Sequence, residues 1–201
     1  MNLNNFYPWI AQIVFFFGLI PQIRLNFKLK STEGLSDFLL IGYFNAYSFY
    51  LFYIFCLDLP DAHKIMIPAS FCVALILIFQ RFYYSKDNNF KLKLFYCLNF
   101  LVLLSFIPLA IEKPNFVGHI AGWLMMFGWA VYQIPQVIKN YSEKSVQGLS
   151  FAWLSIIAVG DFTEFSVALF LGLPSQTYLS NFRGLFIYTI FCIQFWKYSK
   201  N

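Results

Sequence analysis

Seven apolar runs of about twenty residues, separated by short polar connections, leave this chain few ways to fold. A helix rises about 1.5 Å per residue and the hydrocarbon core of a bilayer is about 30 Å thick, so about twenty apolar residues make one crossing. The runs fall at residues 6–26, 36–57, 64–83, 92–111, 116–138, 151–172 and 178–196. Hydrocarbon offers no partners to backbone N–H and C=O groups, which selects helices for such runs. The predicted fold class is all-α and integral to the membrane, with seven transmembrane helices. Composition agrees: of 201 residues, 60% are hydrophobic and only 11% charged, against about a quarter charged in soluble domains. The lipid bilayer is therefore the first partner. The net charge of +5 is not read as a nucleic-acid surface, because the basic residues cluster between the apolar runs.

The second constraint is an internal repeat. Residues 19–36, LIPQIRLNFKLKSTEGLS, return as residues 133–150, QIPQVIKNYSEKSVQGLS. An offset of 114 carries Pro21, Gln22, Asn26, Lys30, Ser31, Gly34, Leu35 and Ser36 onto Pro135, Gln136, Asn140, Lys144, Ser145, Gly148, Leu149 and Ser150 without a gap. The same offset pairs Trp9 with Trp123, Gln80 with Gln194 and Tyr84 with Tyr198. Each unit therefore spans three helices, over residues 6–84 and 116–198, and the helix over 91–112 is left as a connector. One extra crossing lets both units point the same way through the membrane. The expected architecture is two parallel three-helix bundles joined by a connector helix, 3+1+3, with a substrate site near mid-membrane between them.

Orientation follows from lysine and arginine, which stay on the cytoplasmic side. Alternate connections hold Arg24, Lys28 and Lys30; Arg81, Lys86, Lys91 and Lys93; Lys139 and Lys144; and Lys197 and Lys200 follow the last helix. Only Lys64, Lys113 and Arg183 fall at the other face. The N-terminus is thus expected outside and the C-terminus in the cytoplasm. The first apolar run is too long for a cleaved leader and carries the repeat, so it is expected to stay. Cys56, Cys72, Cys97 and Cys192 are scattered in apolar stretches without metal or disulfide spacing. No metal site and no cofactor are expected. Nucleophile, nucleotide-loop and metal-protease patterns are missing too, so enzymatic activity has no support.

Proline lacks an N–H and its ring clashes with the carbonyl four residues earlier. Pro21 and Pro135 are therefore expected to kink the first helix of each unit at matching depth, as a hinge or gate. Gln22 and Gln136 would place amides there, able to bond across the interface between units. The turns that follow call for a glycine at positive φ and a serine capping the next helix.

These paired segments resemble the motifs of the PQ-loop family, over nearly the whole chain. The family includes cystinosin and the vacuolar and lysosomal cationic amino-acid transporters, and is related in fold to the SWEET sugar transporters and the KDEL receptor. The resemblance implies seven helices in a three-one-three arrangement and proton-coupled movement of amino acids. Gly160-Asp161 falls where many members carry Gly-Asp or Gly-Asn after the second motif, and Asp161-Phe162-Thr163 resembles wording in cystinosin. Cystinosin also has an acid in its last helix where this chain places Tyr188, which weakens a reading as a cystine carrier.

Ionisable groups inside a span are costly and usually face a cavity or a partner. Asp161 and Glu164 lie three residues apart, on one face of the sixth helix, and are assigned to proton or cation coupling. A carboxyl taken out of water is harder to ionise, more so beside a second carboxyl, which suits it to exchanging a proton near neutral pH. His119 and Arg183 are the expected partners if the pair is structural. Asn45, Tyr132, Gln133, Asn99 and Tyr188 are assigned to the substrate cavity, and Asp37 to a helix N-terminus. The resulting reading is a proton-coupled transporter of a small polar metabolite, an amino acid before others and among these a cationic amino acid or cystine, with small-molecule substrate and protons as partners, working as a monomer or homodimer. Its alternatives are a pH-dependent ligand-binding or sorting receptor and a SWEET-like sugar transporter. A bacterial inner membrane is favoured as the location, a vacuolar or lysosomal membrane second.

Overall fold

The structure is a computed structural model that describes residues 3–84 and 90–199. Of the basic residues used for orientation, Lys86, Lys200 and the side chain of Lys91 lie outside the described residues.

Among the described residues, eight helical segments make seven spans: α1 (Leu3–Gly18) and α2 (Ile20–Leu29) form the first, followed by α3 (Asp37–Cys56), α4 (Asp61–Tyr84), α5 (Phe90–Glu112), α6 (Pro114–Glu143), α7 (Phe151–Leu171) and α8 (Ser175–Tyr198). Among the described residues, five spans are long and apolar enough to cross a membrane on composition alone. The other two, α6 and α8, are long enough at 30 and 24 residues but carry buried polar side chains, Gln133, Gln136 and Asn140 on one, Asn181 and Gln194 on the other.

Expected and observed helices differ chiefly at the Pro-Gln end, where α2 and α6 run on past the apolar stretch to Leu29 and Glu143. Both then stop in the same way. Lys30 and Lys144 each sit at φ 48 and ψ 36, and their N–H groups bond back to Asn26 O and Asn140 O. Ser36 and Ser150 cap the next helices through Leu39 N–H at 3.1 Å and Trp153 N–H at 3.2 Å, which satisfies donors that a helix start leaves free. The prolines do not act alike. The first span is interrupted at Leu19, leaving Pro21 in the opening turn of α2, where its missing N–H costs nothing. Pro135 lies inside a continuous α6. The difference coincides with Gly18, the last residue of α1, where the second copy has Tyr132; glycine is the weaker helix former.

Within the first set of helices, α1 packs on α4 and α4 on α3, while the backbones of α1 and α3 stay apart and only side chains such as Gln12 and Tyr50 reach between them. The second set repeats this: α6 on α8, α8 on α7, and no α6–α7 contact. Between sets, α3 lies along α6 and α1 along α7. The six spans therefore close into a ring in the order α1, α4, α3, α6, α8, α7. The connector α5 leans on α3 and α6 from outside and turns most of its residues outward.

Lipid is as apolar as leucine, so helices associate in a membrane through close packing and hydrogen bonds. Gly42, Gly118 and Gly122 receive Tyr132, Leu57 and Tyr53 along the α3–α6 seam, each so closely that an added Cβ would collide. Tyr43, Tyr53, Ile67, Trp153, Leu154 and Phe191 fill the interior of the ring.

Candidate functional site

At one end of the ring the two sets exchange their glutamines. Gln22 donates from Nε2 to Gly148 O at 2.8 Å and accepts at Oε1 from Ser150 N–H at 2.7 Å. Gln136 donates to Gly34 O at 2.9 Å and accepts from Ser36 N–H at 2.6 Å. Each amide thus pairs with the backbone of the other set's turn, and both side chains are completely buried. The network continues identically in both copies. Gln22 donates to Asn26 Oδ1, Asn26 to Gln80 Oε1, and Gln80 to Ile23 O, at 2.8, 3.0 and 3.1 Å. The corresponding bonds from Gln136 through Asn140 and Gln194 to Val137 O measure 2.9, 2.9 and 2.8 Å.

The turns themselves touch between the copies. A Cβ on Gly34 would lie 2.6 Å from Gly148 Cα, and one on Gly148 would lie 2.9 Å from Gly34 Cα. Gly148 has φ 80, as the turn chemistry predicts. Gly34 is not at positive φ; its lack of a side chain serves the backbone crossing instead.

Beyond this interlock, at mid-span, the ring encloses a narrow cavity of about 60 Å³, room for a few waters. Tyr43, Tyr47 and Tyr50 of α3, Trp129 and Gln133 of α6, Asp161 of α7, and Asn181, Arg183 and Tyr188 of α8 line it. Aromatic contacts fix its wall: Trp129 meets Tyr43 and Tyr47 edge-on, with ring centroids 4.8 and 5.4 Å apart.

Asp161 is buried on this wall, and among the described residues its carboxyl takes neither a hydrogen bond nor an ion pair. Arg183 lies on the next helix, donating from Nη1 to Gln133 Oε1 at 2.5 Å, while its buried Nε has no partner among the described residues. The charge-counting argument had put Arg183 at the membrane face; it lines the cavity instead, two turns into α8. One carboxyl and one guanidinium therefore face the same space without pairing.

Glu164 is separate. It lies a turn further along α7, bonded by His63 of α4 and Gln12 of α1, so it does not share a site with Asp161. His119, considered as a partner for the acids, meets Gln176 instead, at 3.4 Å. Asp37 opens α3 and pairs with Arg81 at 2.6 Å.

Gln133 and Tyr188 are on the cavity wall, where Gln133 donates to Tyr188 Oη at 3.5 Å. Asn45, Tyr132 and Asn99 are not. Asn45 donates to Tyr132 Oη at 3.1 Å and accepts from Asn99, forming the polar joint where α5 meets α3 and α6. The reason is helical geometry: Asn45 is two residues from Tyr43 and Tyr47, hence about 200° around the helix from them. His63, Gln12, Trp129 and the tyrosines of α3 were not singled out from sequence. The offset of 114 offers one cue, since it aligns His63 with the buried Thr177 at the start of each third helix.

Set against known families, the chain matches the PQ loop repeat twice, over residues 3–63 and 117–177, again 114 apart. The chain belongs to the PQ-loop repeat family. Among its relatives, an uncharacterized protein of the fission yeast Schizosaccharomyces pombe is 28% identical over 160 residues, covering 73% of this chain and 55% of that protein. Cystinosin of Drosophila melanogaster is 44% identical over 65 residues, 31% of this chain and 16% of that one. Bos taurus cystinosin is 33% identical over 69 residues, 33% of this chain and 19% of its own length. The chain thus spans about half of the fission yeast protein and less than a fifth of either cystinosin. In PQ-loop terms, the glutamine of each Pro-Gln pair ties the two repeats together.

Proposed function

We propose that this PQ-loop protein carries a small polar metabolite, an amino acid, across its membrane together with protons, by alternating access between its two three-helix units, residues 6–84 and 116–198. The observation that carries the reading is the unpaired Asp161 facing the cavity that Arg183 also lines. A solute bearing an ammonium and a carboxylate would complete both, the ammonium on Asp161 and the carboxylate on the free edge of Arg183. Carboxyls in such a place can exchange a proton as the cavity fills and empties of water. A neutral sugar would leave both charges unmatched, which ranks the SWEET-like alternative lower.

In this account Asp161 is the proton or cation site, and Gln133, Tyr188 and the aromatic wall shape the substrate. Pro21, Gln22, Pro135 and Gln136 form the gate at their end. The cavity has room for little more than water in this conformation, so the units must part at one end to admit a solute. The first span, interrupted at Leu19, is the better hinge of the two. We place the Pro-Gln end in the cytoplasm, from the basic residues around it. Of the source membranes considered, the eukaryotic relatives favour the vacuolar or lysosomal one. A monomer holds the whole ring; a homodimer is the other state considered.

The test is uptake into proteoliposomes of a labelled panel including lysine, arginine, cystine and neutral amino acids, with and without a pH gradient. Saturable uptake accelerated by the gradient supports the reading. Folded protein that binds a ligand without moving any would favour the receptor alternative.

A further inference from the structure

The end of the ring away from the Pro-Gln turns is tied by a second, smaller set of polar contacts. Each third helix reaches from the same position to the second helix of the other set. His63 at the start of α4 meets Glu164 on α7, Nε2 to Oε1, at 2.6 Å. Its counterpart Thr177 at the start of α8 meets Tyr53 on α3, hydroxyl to hydroxyl, at 2.7 Å. Gln12 of α1 donates to the other Glu164 oxygen at 3.0 Å. His63 and Glu164 are 0 and 1% exposed.

We propose that His63 and Glu164 form a latch that closes this end of the cavity, and that the end opens when the pair parts. The inference rests on the alternating-access reading above, which needs a closure at each end; the Pro-Gln interlock supplies only one. Three observations place the second closure here. The pair joins the two sets of helices that would have to separate, with its neutral counterpart Tyr53–Thr177 on the other side of the ring.

The pair is also ionisable and dry. Parting the pair without solvent leaves buried polar atoms unbonded in an apolar medium, so it holds until water can reach it. Finally, His63 Nδ1 is buried and has no hydrogen-bond partner among the described residues. A fixed core cluster ordinarily satisfies such an atom. Water entering from this end would supply the partner, so opening gains a bond that the closed form lacks.

Among the described residues, Gln12 is the one other side chain that hydrogen-bonds the pair. Tyr50 and Tyr53 of α3 flank Glu164, Asp161 lies a turn away on its own helix, and Thr177 of α8 is taken by Tyr53. Lys64, beside His63, pairs outward with Asp58 and Asp61. Arg183 bonds Gln133.

The experiment uses the full chain in nanodiscs, with Cys56, Cys72, Cys97 and Cys192 replaced and Ser180→Cys as reporter on the cavity wall. The reading is the rate of labelling by a membrane-impermeant maleimide. Glu164→Ala and His63→Ala should each raise that rate at least about tenfold, a shift of about 1.4 kcal/mol in the opening equilibrium. Glu164→Gln, which keeps bonds to His63 and Gln12, should stay within about threefold of the parent. The double variant His63→Leu with Glu164→Leu has no charge to bury and can fold on packing alone. There the rate should fall below the parent, because entering water finds nothing to hydrate. Parental rates in the alanine variants that fold and in the leucine pair would overturn the latch. Labelling needs no substrate: altered rates without uptake of any solute would keep the latch and remove the transport reading, and unaltered rates with intact uptake would do the reverse.

Discussion

The carboxyl of Asp161 occupies the space that a side chain at position 184 would fill. A Cβ built on Gly184 would lie 2.7 Å from Asp161 Cγ and closer still to Oδ2. Gly184→Ala should therefore displace the carboxyl from the cavity wall. Because the obstructing atoms are the end of a movable side chain, the cost falls on the site more than on the fold. Proton-driven uptake should drop at least about tenfold, while the loss of stability stays toward the lower end of the roughly 1–3 kcal/mol typical of overpacking. Thermal unfolding beside uptake checks this, and full uptake would mean that Asp161 need not sit where it does.

The crossing of Gly34 and Gly148 behaves differently, because backbone meets backbone and neither can rotate away. Either alanine substitution should destabilise by about 1–3 kcal/mol. Gly148→Ala should lose about 1 kcal/mol more, since φ 80 is strained for a residue with a Cβ. The ranking can be read from melting temperatures of the two variants in detergent. Equal, unchanged temperatures would show that the turns do not cross in the membrane.

Gln22→Leu and Gln136→Leu remove matching bonds, each leaving a glycine carbonyl and a serine N–H without a partner. An unpaired buried group costs about 1–3 kcal/mol, and the two variants should agree within about 1 kcal/mol because their geometry is duplicated. A large effect of one and none of the other would remove the symmetry argument.

Arg183→Gln should abolish discrimination between an amino acid and the amine that lacks its carboxylate. In the unmodified protein the amine should compete at least about tenfold less well, as expected when a charged recognition group is left unmatched. Competition assays with the two solutes decide it. No discrimination in the unmodified protein would remove Arg183 from substrate recognition.

The fold was largely legible from two features, apolar runs of the right length and the gapless 114-residue offset, because both are imposed by the bilayer and by duplication. The offset also aligned Gln22 with Gln136. It did not show that each bonds the other copy's turn, since a repeat says nothing of which copy faces which. Side-chain facing was the other gap. A span such as α3 is apolar all round, so periodicity selects no face, and Asn45 was placed in the cavity when it belongs to the α5 joint. His63 was missed because it lies just before the apolar run that marks its helix. Charge counting sent Arg183 to the membrane face because it sees distance from a helix end, not a cavity reaching toward it.

The most direct measurement is proton movement with uptake in proteoliposomes, unmodified protein against Asp161→Asn. The carboxamide keeps the size and hydrogen-bonding capacity of the side chain and removes its titration. The account predicts that solute uptake driven by a pH gradient, and the internal pH change that accompanies it, are both lost in the variant, with solute binding weakened by the missing ammonium contact while the protein stays folded. Undiminished gradient-driven uptake by Asp161→Asn would contradict it.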